Sequence, residues 1–375
     1  MTSLIYFDNN STTRTDPEVL NYMLPYYSGQ YGNASSSTHS FGREAKEAVE
    51  YARKQISGLI NCDEDEIIFT SGTTESINFA IKGTTENSAS QNIHIITSVI
   101  EHNAGLEICR HLEKYGIEIT YIPADKSGIV SPDDIREKIK KETILVSIMA
   151  ANNEIGTIQP IAEIGNICRE KEILFHTDAA QAFGKIPINL KELNVDMMSF
   201  SAHKIYGPKG IGALYIRKGA KKPAVQMQGG GQENSMRGGT LNVPAIAGFG
   251  KAAELAKEKI MDEFTGHTVQ RDRIIQNILK KINGSFLNGH PVKRLPNNIN
   301  VGFRNMTNSM FINKYKEFAI SFGSACSSET LQPSYVLRAI GRTKEEINSS
   351  VRIGIGRFNT EEEINYLIKR LTEEY

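Results

Sequence analysis

A chain of 375 residues exceeds what one hydrophobic core fills, and at ~150 residues per domain it suggests two or three domains. With 39% hydrophobic and 23% charged residues the composition is that of an ordinary globular protein, which excludes the disordered and fibrous classes. Lys plus Arg and Asp plus Glu balance at 43 each, so no net field draws in a polyanion, and direct nucleic-acid binding is not expected.

The N-terminal MTSLIYFDNN has no basic stretch ahead of an apolar run, and no run of ~18 apolar residues follows. Neither a secretory signal nor a membrane span is expected, and the reading is cytoplasmic. An amphipathic stretch, REAKEAVEYARKQISGLI, precedes a series of short β-rich runs: EIIF at 66–69, IHIIT at 93–97, EITYI at 118–122, ILVSIM at 144–149, ILFHT at 173–177, DMMSF at 196–200 and GALYI at 212–216. Runs of this length, bounded by Gly, Asn, Asp and Ser and separated by helical segments, predict βαβ units and a mainly parallel sheet covered on both faces. Functional groups then belong at the carboxyl ends of the strands. From residue 242 the texture changes to one long helical stretch, followed by a predicted strand in LPNNINVGF. The terminal helix TEEEINYLIKRLTEEY opens with Thr360 and Glu363 at capping-box spacing.

The four cysteines, Cys62, Cys109, Cys168 and Cys326, form no CxxC pair and have no His at metal-ligand spacing, so neither a disulfide framework nor a metal site is expected. Cys109 and Cys168 fall in predicted helices and Cys62 at a helix end, where a free thiol serves as a small hydrophobe. Cys326 differs, because Gly323, Ser324, Ala325, Ser327 and Ser328 around it are too small to build a core. The stretch reads as a mobile, exposed loop.

Three strand ends carry chemistry. Lys204 follows the run SFSAH and precedes a Gly-Pro turn; alone it would be a solvated loop lysine. Asp178 closes the run ILFHT, where a buried carboxylate needs a positive or donating partner. In FTSGTTES, Gly72 allows close backbone approach while Thr73 and Thr74 place hydroxyls and N–H groups at a helix N-terminus, which suits either capping or an anion. Together an amine, a carboxylate and an anion cup meet the needs of pyridoxal 5'-phosphate: a Schiff-base amine, a partner for the ring nitrogen and a phosphate anchor.

In the order YFDNNSTT, YGNASS, FTSGTTES, EHNA, NNEIG, HTDAAQ, SFSAHKIYGPKG, MRGGT, GSACSS and VRIGIGRF, the segments span essentially the whole chain, which resembles the cysteine desulfurases of the NifS/IscS type. The resemblance implies an α/β enzyme of fold type I. Its large domain, residues 15–257, would hold a mainly parallel seven-stranded sheet, and a smaller α+β domain of residues 1–14 and 258–375 would carry a catalytic cysteine loop at about 321–334. It further implies Lys204 as the Schiff-base lysine, Asp178 on the pyridinium nitrogen and Gln181 on the cofactor's phenolic oxygen. His102 would stack on the ring and assist proton transfer. Thr74, Ser201 and His203 would bind phosphate, with Thr240 reaching it from the other subunit of a homodimer. Asn153 would lie near cofactor and substrate carboxylate, and Asn33 and Arg352 would hold that carboxylate, the planar guanidinium being suited to a bidentate grip; without the resemblance Arg352 would read as a surface ion pair. Departures are Ala34 and Asn103, where the family often has Pro and a Lys or Thr-like residue.

The implied reaction takes sulfur from L-cysteine as a persulfide on Cys326, leaving L-alanine. The acceptor would be an iron–sulfur scaffold or a tRNA-thiolating enzyme. The chain ends at Tyr375, without the long tail some relatives use to grip scaffolds, which weighs against delivery to a scaffold and for a tRNA-thiolating enzyme or another sulfurtransferase. A selenocysteine lyase or an aminotransferase on the same fold is the alternative.

Overall fold

The computed structural model describes residues 4–90, 92–322 and 333–373. Its strands are β1 (Ile5–Tyr6), β2 (Ile67–Thr70), β3 (His94–Ser98), β4 (Glu118–Ile122), β5 (Thr143–Ser147), β6 (Leu174–Asp178), β7 (Met197–Ser201), β8 (Gly212–Ile216), β9 (Ser285–Leu287), β10 (Asn298–Phe303), β11 (Phe318–Ala319) and β12 (Ser350–Gly354). Seven of them form one sheet in the order β2-β8-β7-β6-β5-β3-β4, in which β8 runs antiparallel to both neighbours and the other pairings are parallel. This is the α/β, mainly parallel seven-stranded architecture expected from the sequence.

Alternate residues of these strands enter opposite cores, as the period-2 geometry of a strand requires. Ile96, Val146, Phe175, Met198 and Phe200 pack on one face, with the helix Ser40–Ile60 and the start of the long helix Val243–Lys281. Ile95, Leu145, Met197 and Leu214 pack on the other, against Ile77, Phe79 and Ile81 of the helix Thr73–Glu86. Each such side chain taken out of water contributes roughly 1.5–3 kcal/mol.

A second core gathers Phe7, Ile299, Val301, Phe303, Ile353, Ile364 and Leu367 around the antiparallel sheet β12-β10-β9 and the terminal helix Glu361–Glu373. β1 pairs with β11 in a separate two-stranded ladder. The long helix serves both cores: Ile246, Phe249 and Ala253 belong to the first, and Ile274, Ile275 and Ile278 to the second. Asn242 caps its start by accepting from Ala245 N at 3.2 Å. Thr360 and Glu363 close the expected capping box, with both bonds at 3.2 Å. Among the described residues no helix is long and apolar enough to cross a membrane.

Candidate active site

A cavity of about 450 Å³ opens at the carboxyl ends of the parallel strands. Each wall residue is aimed by local structure. β2 ends at Thr70, and Gly72 then adopts φ 154°, ψ 177°, a region essentially closed to residues with a Cβ, before Thr73 starts the next helix. A Cβ added at Gly72 would meet nothing within 4 Å, so backbone conformation and not space selects glycine. His102 caps the helix Asn103–Glu113, its Nδ1 accepting from Ala104 N at 3.2 Å. That contact leaves the proton of the neutral ring on Nε2. After β5, Asn152 Oδ1 accepts from Glu154 N and Ile155 N at 2.9 and 3.0 Å, a tight Asx turn that presents Asn153 to the cavity.

Asp178 is the last residue of β6, and its Oδ1 accepts from Ala180 N at 2.9 Å. Burial pushes its carboxyl up to about 6, against the opposing pull of that hydrogen bond and of Lys204. Lys204 sits in the 3₁₀ turn Ala202–Lys204 directly after β7, and its Nζ donates to Asn10 O and Ser11 O at 2.9 and 2.5 Å. Burial, with repulsion from Lys204, holds His102 down to about 4, and His203 falls to about 3 for the same reasons with Lys209 and Lys185 adding to them. Both rings are therefore neutral at physiological pH.

Arg352 is 1% exposed and lines the cavity, and it is also an ion-pair partner, bound to Asp8 Oδ1 at 2.8 Å, though buried and not at the surface. The guanidinium also donates to Ser11 Oγ at 2.5 Å and Asn153 O at 3.0 Å. Among the described residues several buried polar atoms have no hydrogen-bond partner, including Thr73 Oγ1, Ser201 Oγ, Asn153 Oδ1, Asn10 Oδ1 and Arg352 Nε. Buried polar groups are rarely left so, and each of these would be satisfied by a ligand or ordered water. Hydroxyls beside a helix N-terminus at one end, and a desolvated carboxylate at the other, suit a ligand that is anionic at one end and carries a protonated ring nitrogen at the other.

Of the residues singled out in the sequence, the structure brings Gly72, Thr73, Thr74, His102, Asn153, Asp178, Gln181, His203, Lys204 and Arg352 to this one cavity. Ser201 is buried immediately before the Lys204 turn but does not line the wall. Asn33 and Thr240 are exposed and do not line it either; Asn33 Oδ1 accepts from Ser35 N at 2.9 Å. Cys326 lies outside the described residues. The other three cysteines are shielded: burial pushes the Cys109 and Cys168 thiols up to about 12 and Cys62 higher still, which suppresses the reactive thiolate.

Asn10 and Ser11, whose carbonyls hold Lys204, and Glu75, which lines the cavity and is paired with Arg237 Nε at 2.9 Å, are not among the residues the sequence singles out. The polar run DNNST after a short strand was the available signal for the first two.

The aminotransferase class-V family model matches residues 5–367. The chain is similar to cysteine desulfurase IscS of Rickettsia prowazekii (strain Madrid E), at 50% identity over 98% of this chain and 90% of that protein. Among solved structures it is similar to a NifS-like protein, with TM-score 0.92 and 38% identity over 99% of each chain. It is also similar to SspA in complex with cysteine, with TM-score 0.84 and 36% identity over 95% of this chain and 100% of that one.

Proposed function

The chain belongs to the class-V aminotransferase family and is a cysteine desulfurase, and we propose how its residues divide that work. The observation that carries the reading is the convergence of Lys204, Asp178 and the Thr73 hydroxyl on one cavity at three strand ends. Pyridoxal 5'-phosphate is the cofactor these groups would hold: Lys204 at its aldehyde carbon, Asp178 at its ring nitrogen and Gln181 at its phenolic oxygen. Thr73, Thr74, Ser201 and His203 would take its phosphate. Gly72 lets the backbone approach, and Thr240, exposed on this chain, would complete the phosphate site across a homodimer.

When bound, the cofactor supplies an electron-withdrawing ring conjugated to the substrate's α-carbon. The protein's residues do the rest. Arg352, with Asn153 and Asn33, binds the carboxylate of L-cysteine. Lys204 Nζ, as a free amine beside the substrate's α-carbon, would take the α-proton. Neutral His102 caps the site and shares in proton transfer through Nε2. Cys326 Sγ attacks the substrate sulfur; the new S–S bond forms as the C–S bond breaks, and protonation of the carbon fragment yields L-alanine. Cys326 then carries one sulfur as a persulfide, which passes to an acceptor protein of iron–sulfur assembly or tRNA thiolation, in the cytoplasm.

The test is incubation of the pure protein with L-cysteine. Alanine and sulfide are expected in equal amounts when an added thiol reductant discharges the persulfide, and alanine formation is expected to slow when it is omitted and L-cysteine is the only thiol left to do so. Oxo-acid in place of sulfide would reject the reading in favour of transamination. Asp178→Asn is expected to lower turnover about 10- to 100-fold, the cost of a charged hydrogen bond at ~1.5–3 kcal/mol. Steady-state kinetics with saturating cofactor check this; parental rates would remove Asp178 from the site.

A further inference from the structure

Lys185 stands in the turn after β6, and the division of labour above gives it no task. Its Nζ donates to Gln181 Oε1 at 3.0 Å. The ammonium form only donates and the Asn10 carbonyl only accepts, so the amide turns its oxygen to Lys185 and its NH₂ group to Asn10. One hydrogen of that NH₂ goes to Asn10 O at 2.8 Å, and Asn10 Nδ2 approaches Gln181 Oε1 at 3.3 Å. The same Asn10 carbonyl accepts from Lys204 Nζ at 2.9 Å. A chain of hydrogen bonds thus joins Lys185 to Lys204 through Gln181 and Asn10. Gln181 is buried and lines the cavity, so the second hydrogen of its NH₂ remains for a ligand there.

Lys185 itself lines a separate, smaller cavity behind the Lys204 turn, with Tyr206, Glu263, His267 and Arg357. Arg357 already holds Glu263 at 2.5 Å and Asp16 at 2.8 Å. The stem of Lys185 keeps some surface, but its ammonium end is enclosed. Burial first, then repulsion from Lys204 and Arg352, pulls it down to about 7. The charged form is therefore costly here and is held toward one acceptor, Gln181.

We propose that Lys185 is a positioning residue for the cofactor: it pins the Gln181 carbonyl oxygen and so presents the amide NH₂ as a donor to the cofactor's phenolic oxygen. Without it the amide is oriented by its two bonds to Asn10 alone, and the NH₂ group is held less firmly toward that oxygen. The inference rests on the reading of Gln181 as the phenolic-oxygen partner.

The test is a pH titration of the bound cofactor's absorbance in holoenzyme of the parent, K185M, Q181L and the double variant, with folding checked by circular dichroism. K185M is expected to move the midpoint by about half a pH unit, close to threefold in proton affinity, in the same direction as Q181L. The double variant is expected to move no further than Q181L alone, because Lys185 acts through Gln181. A K185M midpoint equal to the parent's beside a shifted Q181L, or additive shifts in the double variant, overturns the proposal and leaves the reading of Gln181 intact. A Q181L midpoint equal to the parent's overturns that reading, and the proposal falls with it. Should K185M not accumulate as folded protein, K185S carries the same comparison, because water filling the vacated space can donate or accept and does not fix the amide.

Discussion

Replacing Lys204 with alanine is expected to leave a folded protein that cannot hold its cofactor covalently and turns over L-cysteine roughly a thousandfold or more slowly, since one side chain supplies both the covalent attachment and the proton-transfer base. The surrounding backbone does not depend on the ammonium. Thr13 N and Thr13 Oγ1 each donate to His203 O at 3.0 Å, Tyr206 N donates to Thr13 Oγ1 at 2.8 Å, and Ala202 N donates to Ile211 O at 3.2 Å. These bonds persist in the variant, and the Asn10 and Ser11 carbonyls released by the change face a cavity from which water can donate. Two measurements separate loss of chemistry from loss of fold: the melting temperature, expected close to the parent's, and borohydride reduction followed by peptide mass analysis. Reduction should fix the cofactor on the Lys204 peptide of the parent and nowhere in K204A. Parental turnover in K204A would remove the lysine from the mechanism.

Cys326→Ser is expected to abolish sulfide release while cofactor binding, and the spectral response to L-cysteine, stay as in the parent. A serine hydroxyl is not ionised near neutral pH, whereas a thiol with a reference pKa near 8.5 is already a few per cent thiolate. Substitution should therefore cost at least ~10³-fold. No described cysteine is placed to substitute: Cys109 and Cys168 are buried with thiols pushed up to about 12, and Cys62 is half-buried with its thiol pushed up by desolvation and by Glu66 and Asp63. Trapping with a thiol alkylating reagent after one turnover should locate the persulfide on the Cys326 peptide in the parent and on none in C326S. Substantial sulfide from C326S would place the nucleophile elsewhere.

The seven strands of the large sheet could be read almost to the residue because each is a run of β-branched and aromatic residues between turn formers. EITYI and GALYI coincide with β4 and β8, and the other five are within two residues of their observed limits. Asp178, Lys204 and the Thr73 turn were legible for the same reason: a strand end is a local property, and chemistry gathers where parallel strands point together. His102 was named only through the family resemblance, and its place as the cap of a helix came from the structure. Asn10 was not legible, because nothing near it in the chain signals that its carbonyl will hold an amine 194 positions away. The pairing of Arg352 with Asp8 spans 344 positions and depends on β12 lying beside the N-terminal segment.

Local periodicity and turn chemistry in the amino-acid order thus determined which segments are strands, where the sheet ends, and which amine, carboxylate and hydroxyls stand at those ends. Tertiary packing alone decided what each of those groups faces: that Lys204 is held by two backbone carbonyls, that Arg352 shares its fork with Asp8 and Ser11, and that Lys185 donates to the amide oxygen of Gln181. The physical reason is range. Side-chain direction within an element follows from backbone geometry over a few residues, whereas the burial that shifts Asp178 upward and the histidines downward exists only when two cores close around one cavity.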